Sequence, residues 1–83
     1  SAKVRQGFIG EKTPQDLYVV SGLFQTKAAA QHVAGSSVLT SSKIKGNIVS
    51  AYDEKGAVLV KFEKSPNLQE KVFYYKLRSV KIV

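Results

Sequence analysis

Lys43–Phe62, KIKGNIVSAYDEKGAVLVKF, reads as one β-hairpin, and the flanking segments read as short strands folded around it. In the first arm Ile44, Gly46 and Ile48 share one side while Lys43, Lys45 and Asn47 share the other, the two-residue period of a half-buried strand. The second arm repeats the pattern, with Val58, Val60 and Phe62 on one face and Ala57, Leu59 and Lys61 opposite. Between them Tyr52-Asp53-Glu54-Lys55-Gly56 is a polar turn that ends in glycine, which tolerates positive φ without steric cost.

Upstream, Lys3 to Gly10 has strand content with broken alternation: Val4 and Phe8 share a parity, Ile9 lies on the other, and Gly7 marks a bulge or tight bend. Residues 11–16 form a loop around Pro14 and Asp16. Leu17 to Val20, apolar on both faces, is a second strand, paired antiparallel with the first. Thr26 to Ala34 is the helix signal of the chain: Thr26 as N-cap, three successive alanines, and Gly35 as the stop. A helix so short needs support from the sheet, through Ala30, Val33 and Ala34. Ser36 to Thr40 is another short strand, and Ser41-Ser42 leads into the hairpin. After Phe62 the turn-rich Glu63 to Asn67 contains Pro66, which blocks ladder pairing, and Leu68 remains able to pack. Lys71 to Val83, aromatic and β-branched, is a last strand or two short ones. Its phase changes between Phe73, Tyr75 and Leu77 and the later Val80 and Ile82, which calls for a bulge or break near Arg78-Ser79.

Eighty-three residues accommodate one domain, 1–83, with one modest core. Five or six short strands with one small helix fold most economically as a compact antiparallel barrel, because closure removes sheet edges. An open α+β sheet with the helix across one face is the competing architecture. With no cysteine, disulfides and thiolate metal sites are excluded, and a reducing compartment is suited. No apolar run approaches the ~20 residues of a membrane span, and no signal-peptide pattern opens the chain, so the expected location is the cytoplasm.

Thirteen Lys and Arg against six Asp and Glu give a net charge of +7 on 9.1 kDa, which favours a polyanionic partner over a small-molecule substrate. Residues 1–42 carry +2 and residues 43–83 carry +5, so the positive field is concentrated in the half that holds the hairpin. Lys43, Lys45, Lys61 and Lys64 bracket the hairpin, and Lys76, Arg78 and Lys81 punctuate the final segment. With Lys3, Arg5, Lys12 and Lys27 from the first half, these bases are the candidate nucleic-acid contacts; lysines that merely keep strands soluble are the alternative for any one of them. Tyr18, Tyr52, Tyr74 and Tyr75 are placed either to stack on unpaired bases or to bury their rings in the core.

Catalysis finds few parts. His32 is the single histidine, so a multi-histidine metal site is impossible, and on a short helix it reads as a surface or boundary residue. The carboxylates are scattered, and the glycines match neither a phosphate-binding loop nor a dinucleotide fingerprint. The expectation is a binding protein without enzyme activity, metal or cofactor, and these observations do not choose between RNA and DNA.

The runs Lys45-Gly46-Asn47-Ile48-Val49, Gly56-Ala57-Val58 and Lys61-Phe62-Glu63-Lys64 narrow the choice, because they resemble the archaeal and eukaryotic large-subunit ribosomal protein family thirty-five-A-e. That family has a K-G-K-I-V type strand, a G-x-V segment after a glycine turn, and a basic-Phe ending before a proline-containing loop. Thr26 to Leu39 is similar to the family's small helix and V-L strand, so the resemblance spans residues 19–66, with a weaker match at Val4 to Ile9. Tyr52-Asp53 stand where the family has His-Gly, Leu59 where it has arginine, and Thr40 where it often has tryptophan. The resemblance implies an all-β, six-stranded translation-protein-like barrel with one short helix. It also implies a structural place in the large ribosomal subunit, with ribosomal RNA and neighbouring ribosomal proteins as partners. A small DNA-binding barrel of chromatin type and a protein-interaction domain remain the alternatives.

Overall fold

The hairpin is present in the computed structural model, which describes residues 3–76, with side chains from Arg5 to Tyr74. Six strands, β1 (Lys3–Lys12), β2 (Tyr18–Ser21), β3 (Ser37–Thr40), β4 (Lys45–Ala51), β5 (Val58–Phe62) and β6 (Lys71–Lys76), and one helix, α1 (Lys27–His32), make up the described chain. Every strand pair is antiparallel and the sheet closes on itself in the order β1-β2-β5-β4-β3-β6. The expected closed barrel is therefore the observed one, and the open sheet is not. The bulge or break expected near Arg78-Ser79 lies outside the described residues.

Closure depends on β1. Its first part, Lys3 to Phe8, pairs with β6, and from Phe8 onward it pairs with β2, with a register shift between Ile9 and Lys12. The irregularity expected at Gly7 is thus displaced toward Gly10-Glu11, because the β1–β6 register runs unbroken through Gly7. What Gly7 supplies is room. A Cβ there would sit 2.5 Å from the Ser21 carbonyl oxygen and 2.9 Å from Leu23 Cγ. On this strand the buried set is Gly7 and Ile9, while Phe8 faces out and is 53% exposed.

In the hairpin the two predicted faces are observed up to Ile48, which lies opposite Val60. Val49 is then an extra residue, since Ser50 pairs with Leu59 and Ala51 with Val58; this bulge leaves Val49 nearly half exposed. Ala57, expected outside, is buried where the chain re-enters β5. The turn is held by Asp53, whose Oδ1 accepts from the amides of Lys55 (2.9 Å) and Ala57 (3.1 Å).

Val20, Val38, Ile48, Val58, Val60 and Val72 fill the barrel interior. Aromatic pairs extend this core. Tyr18 meets Phe62 edge-on at 5.6 Å, and Phe24 meets Tyr74 edge-on at 5.3 Å. Thr26 caps α1 as expected, accepting the Ala29 amide on Oγ1 at 3.1 Å. The helix stops at His32, earlier than the sequence suggests, and its support is Ala30, fully buried, with Val33 half-buried; Ala34 is exposed. Leu68 does not pack either, being 54% exposed, and Pro66 is buried instead.

Candidate nucleic-acid interface

Register places the hairpin lysines. On the outer face of β4, Lys45 and Asn47 alternate with the inward Gly46 and Ile48, and Asn47 lies directly opposite Lys61 of β5. Lys45 is therefore diagonal to Lys61, a relation that separates the two residues by roughly 7 Å. On the other side Asn47 lies opposite Ser37 of β3, whose hydroxyl donates to Asn47 Oδ1 at 3.2 Å. The result is a row, Lys61–Asn47–Ser37, that crosses three strands with Lys45 beside it. A shallow groove lined by Ser36, Ser37, Leu39, Lys45 and Tyr74 continues from this row.

The barrel end at which β4 begins and β5 finishes gathers more charge. Lys12, Lys61, Lys64, Ser65 and Tyr18 line one groove there, together with Asp16 and Glu63. Lys12 is not fully free. Asp16 lies 3.1 Å from its Nζ, and this hydrogen bond, reinforced by the carboxylate's charge, raises the lysine pKa. Lys43 occupies the β3–β4 turn with φ +70, its amide donating to the Thr40 carbonyl at 2.9 Å. Lys71 opens β6 at the same end, exposed on the outside opposite Phe8. The sequence reading does not include it among the candidate contacts, although its alternation with the buried Val72 is visible there.

Glu70 ties this end together. Oε1 accepts from the Ser42 amide (2.8 Å) and the Ser41 hydroxyl (3.2 Å), and Oε2 from the Asn67 amide (3.2 Å). Burial pushes its carboxyl up, but the Thr40 hydroxyl and the Ser42 and Asn67 amides outweigh that and hold its pKa at about 2. Its negative charge is thus directed at the backbone of the Lys43 turn and of the loop that leads into Lys71.

The remaining predicted bases go elsewhere. Lys27 begins α1 at the opposite end and lies 3.6 Å from Glu54, both exposed. Arg5 donates to the Leu23 carbonyl at 3.2 Å and sits 5.6 Å over the Phe24 ring, so part of its capacity is engaged in packing the helix end. Lys3 and Lys76 are cross-strand partners, also at that end. Arg78 and Lys81 lie outside the described residues. His32 is exposed on α1 beside a cleft shared with Arg5, Phe24 and Tyr74. Of the tyrosines, Tyr18 and Tyr74 are buried core rings, and Tyr52 is half exposed in the β4–β5 turn, away from the lysine end; the Tyr75 ring is outside the described side chains. The structure thus unites Lys12, Lys43, Lys45, Lys61 and Lys64, adds Lys71, and separates Lys3, Arg5, Lys27 and Lys76 from them.

No protein-family model matches this sequence, and no curated protein sequence matches it. Solved structures do. Translation elongation factor SelB from Methanococcus maripaludis, in its apo form, superposes with a TM-score of 0.78 at 27% sequence identity, over 96% of this chain. The same factor in complex with the GTP analogue GppNHp matches equally, with TM-score 0.78 and 27% identity. In both, the chain spans only 18% of the elongation factor's length. The barrel is therefore of the kind found in a translation factor. This link to translation agrees with the sequence resemblance in its broad sense, through a factor and not through a ribosomal protein.

Proposed function

We propose that this barrel is an RNA-binding module of the translation machinery that works by contact and not by catalysis. Its lysine-bearing end lies against ribosomal RNA of the large subunit, among neighbouring ribosomal proteins, in the cytoplasm. The observation that carries the reading is the convergence of Lys12, Lys43, Lys45, Lys61, Lys64 and Lys71 on one end of a barrel similar to part of an elongation factor. Clustered ammonium groups displace counterions from a phosphate backbone, a source of affinity that needs no cofactor and no small-molecule substrate.

Two ways of serving translation are distinguished by how firmly the chain is held. A structural constituent of the subunit, as the resemblance to thirty-five-A-e implies, is retained at high salt. A module that visits the ribosome, which the similarity to SelB favours, pellets at low salt and washes off. Sedimentation of native particles through cushions of low and high salt tests both. A chain that remains in the supernatant under each condition overturns the proposal.

A further inference from the structure

The lysine end says where RNA binds; the chemistry of the row Lys61–Asn47–Ser37 says what form of RNA fits. We infer that this row, with Lys45, reads the sugar-phosphate backbone of A-form double-stranded RNA and distinguishes it from DNA through the 2′-hydroxyl. The inference rests on the proposed RNA-binding reading and goes beyond it.

Asn47 is the centre of the row. Its Oδ1 accepts the Ser37 hydroxyl proton at 3.2 Å, which orients the amide and leaves Nδ2 as an exposed donor. Ser37 Oγ, its proton directed at Asn47, keeps lone pairs with which to accept. A donor and an acceptor thus stand side by side on the exterior, and a 2′-hydroxyl, itself both donor and acceptor, satisfies the two together. DNA has no group at that position. An ammonium flanks this pair on β5, Lys61, and another lies two residues back along β4, Lys45, both exposed. Lys45 stands about 6.7 Å from Asn47 along the strand and Lys61 about 5 Å across from it, so both ammonium groups reach phosphates adjoining the sugar read by Asn47.

Ring positions favour paired over unpaired RNA. Recognition of single strands relies on aromatic side chains that stack on splayed bases. Among the described residues, Tyr18 and Tyr74 are buried in the core, and the exposed Tyr52 belongs to the other end of the barrel. The exposed Phe8 is on β1, which two strands separate from β4 in either direction around the barrel, and the half-buried Phe73 of β6 lies opposite Leu39, beside the row and not within it. The row offers ammonium, amide and hydroxyl groups on a convex barrel exterior, a shape that lies against the wide, shallow minor groove of an A-form helix.

Fluorescence anisotropy with an RNA duplex of about 16 base pairs, the DNA duplex of the same sequence and a non-pairing RNA strand, each at several salt concentrations, tests the inference. The RNA duplex is expected to bind tightest, by about tenfold over the DNA duplex, the effect of one hydrogen-bonded pair of groups. Asn47→Ala and Ser37→Ala, both at exposed positions, should bring the RNA-to-DNA ratio toward one and leave the salt slope unchanged. Lys61→Gln should lower both duplex affinities together. Equal binding of the two duplexes, tighter binding of the single strand, or a ratio indifferent to both the Asn47 and Ser37 variants overturns the inference while RNA binding stands. Binding to none of the three probes overturns the parent proposal as well.

Discussion

Gly56 and Glu70 show how single residues hold the two ends of the barrel in place. Gly56 has φ +95, and a Cβ there would approach the Phe24 carbonyl oxygen to 2.4 Å and its carbon to 2.6 Å. Gly56→Ala therefore combines left-handed strain with a backbone clash, and should destabilise the fold by about 3 kcal/mol in urea unfolding. The sequence discloses the turn requirement but not the neighbour, since Phe24 is 32 residues away along the chain. Glu70 reads in the sequence as one more surface carboxylate. Its pKa of about 2, against an ordinary 4.5, means that the unfolded chain binds more protons between those values. Its contribution to stability is complete above about pH 4.5 and is lost as pH falls through about 2. Glu70→Gln should therefore be less stable than wild type at neutral pH, with the difference closing under acid. Denaturant unfolding from pH 7 to pH 2 checks this, and a gap that does not change with pH refutes it.

At the scale of elements, local signals are legible wherever short-range chemistry decides. Thr26 as a cap and the hairpin alternation through Ile48 are properties of residues within four positions of one another. Thr26→Ala should cost about 1 kcal/mol, the usual contribution of an N-cap hydrogen bond, because the six-residue helix has few other bonds of its own. Glu54→Gln, which removes the exposed ion pair to Lys27, should change stability by less than about 0.5 kcal/mol in the same assay. Where the sequence misleads, a distant element sets the outcome. Helix α1 ends early because the chain must turn so that the Gly35 amide reaches the Ile48 carbonyl at 2.7 Å and the Ser36 carbonyl can accept from the Ile48 amide. The Val49 bulge likewise answers to β5 and to α1, whose Gln31 Oε1 accepts the Ala51 amide at 3.3 Å.

For the whole molecule, charge is readable in the sequence and its distribution in space is not. The bases around the hairpin stand out as a set, and barrel closure brings Lys12 and Lys71 to them from strands far away in sequence. The same closure sends Lys27 and Arg5 to the other end. Replacing Lys43, Lys45 and Lys61 together with glutamine should weaken RNA binding and reduce the slope of log affinity against log salt by about 0.7–0.9 for each phosphate no longer neutralised. Because all three side chains are exposed, thermal stability should be nearly unchanged. An unaltered slope would remove these lysines from the interface.

Alternation, turn chemistry and capping depend on neighbours a few residues apart and net charge on composition alone, and from these the chain by itself determined its short strands, its helix start and its positive charge. Which lysines share a surface, which tyrosines are lost to the core, and that a buried carboxylate organises two loops depended on barrel closure. Closure sets contacts between residues tens of positions apart, and only the three-dimensional pairing of β1 with β6 and of β3 with β6 decides them.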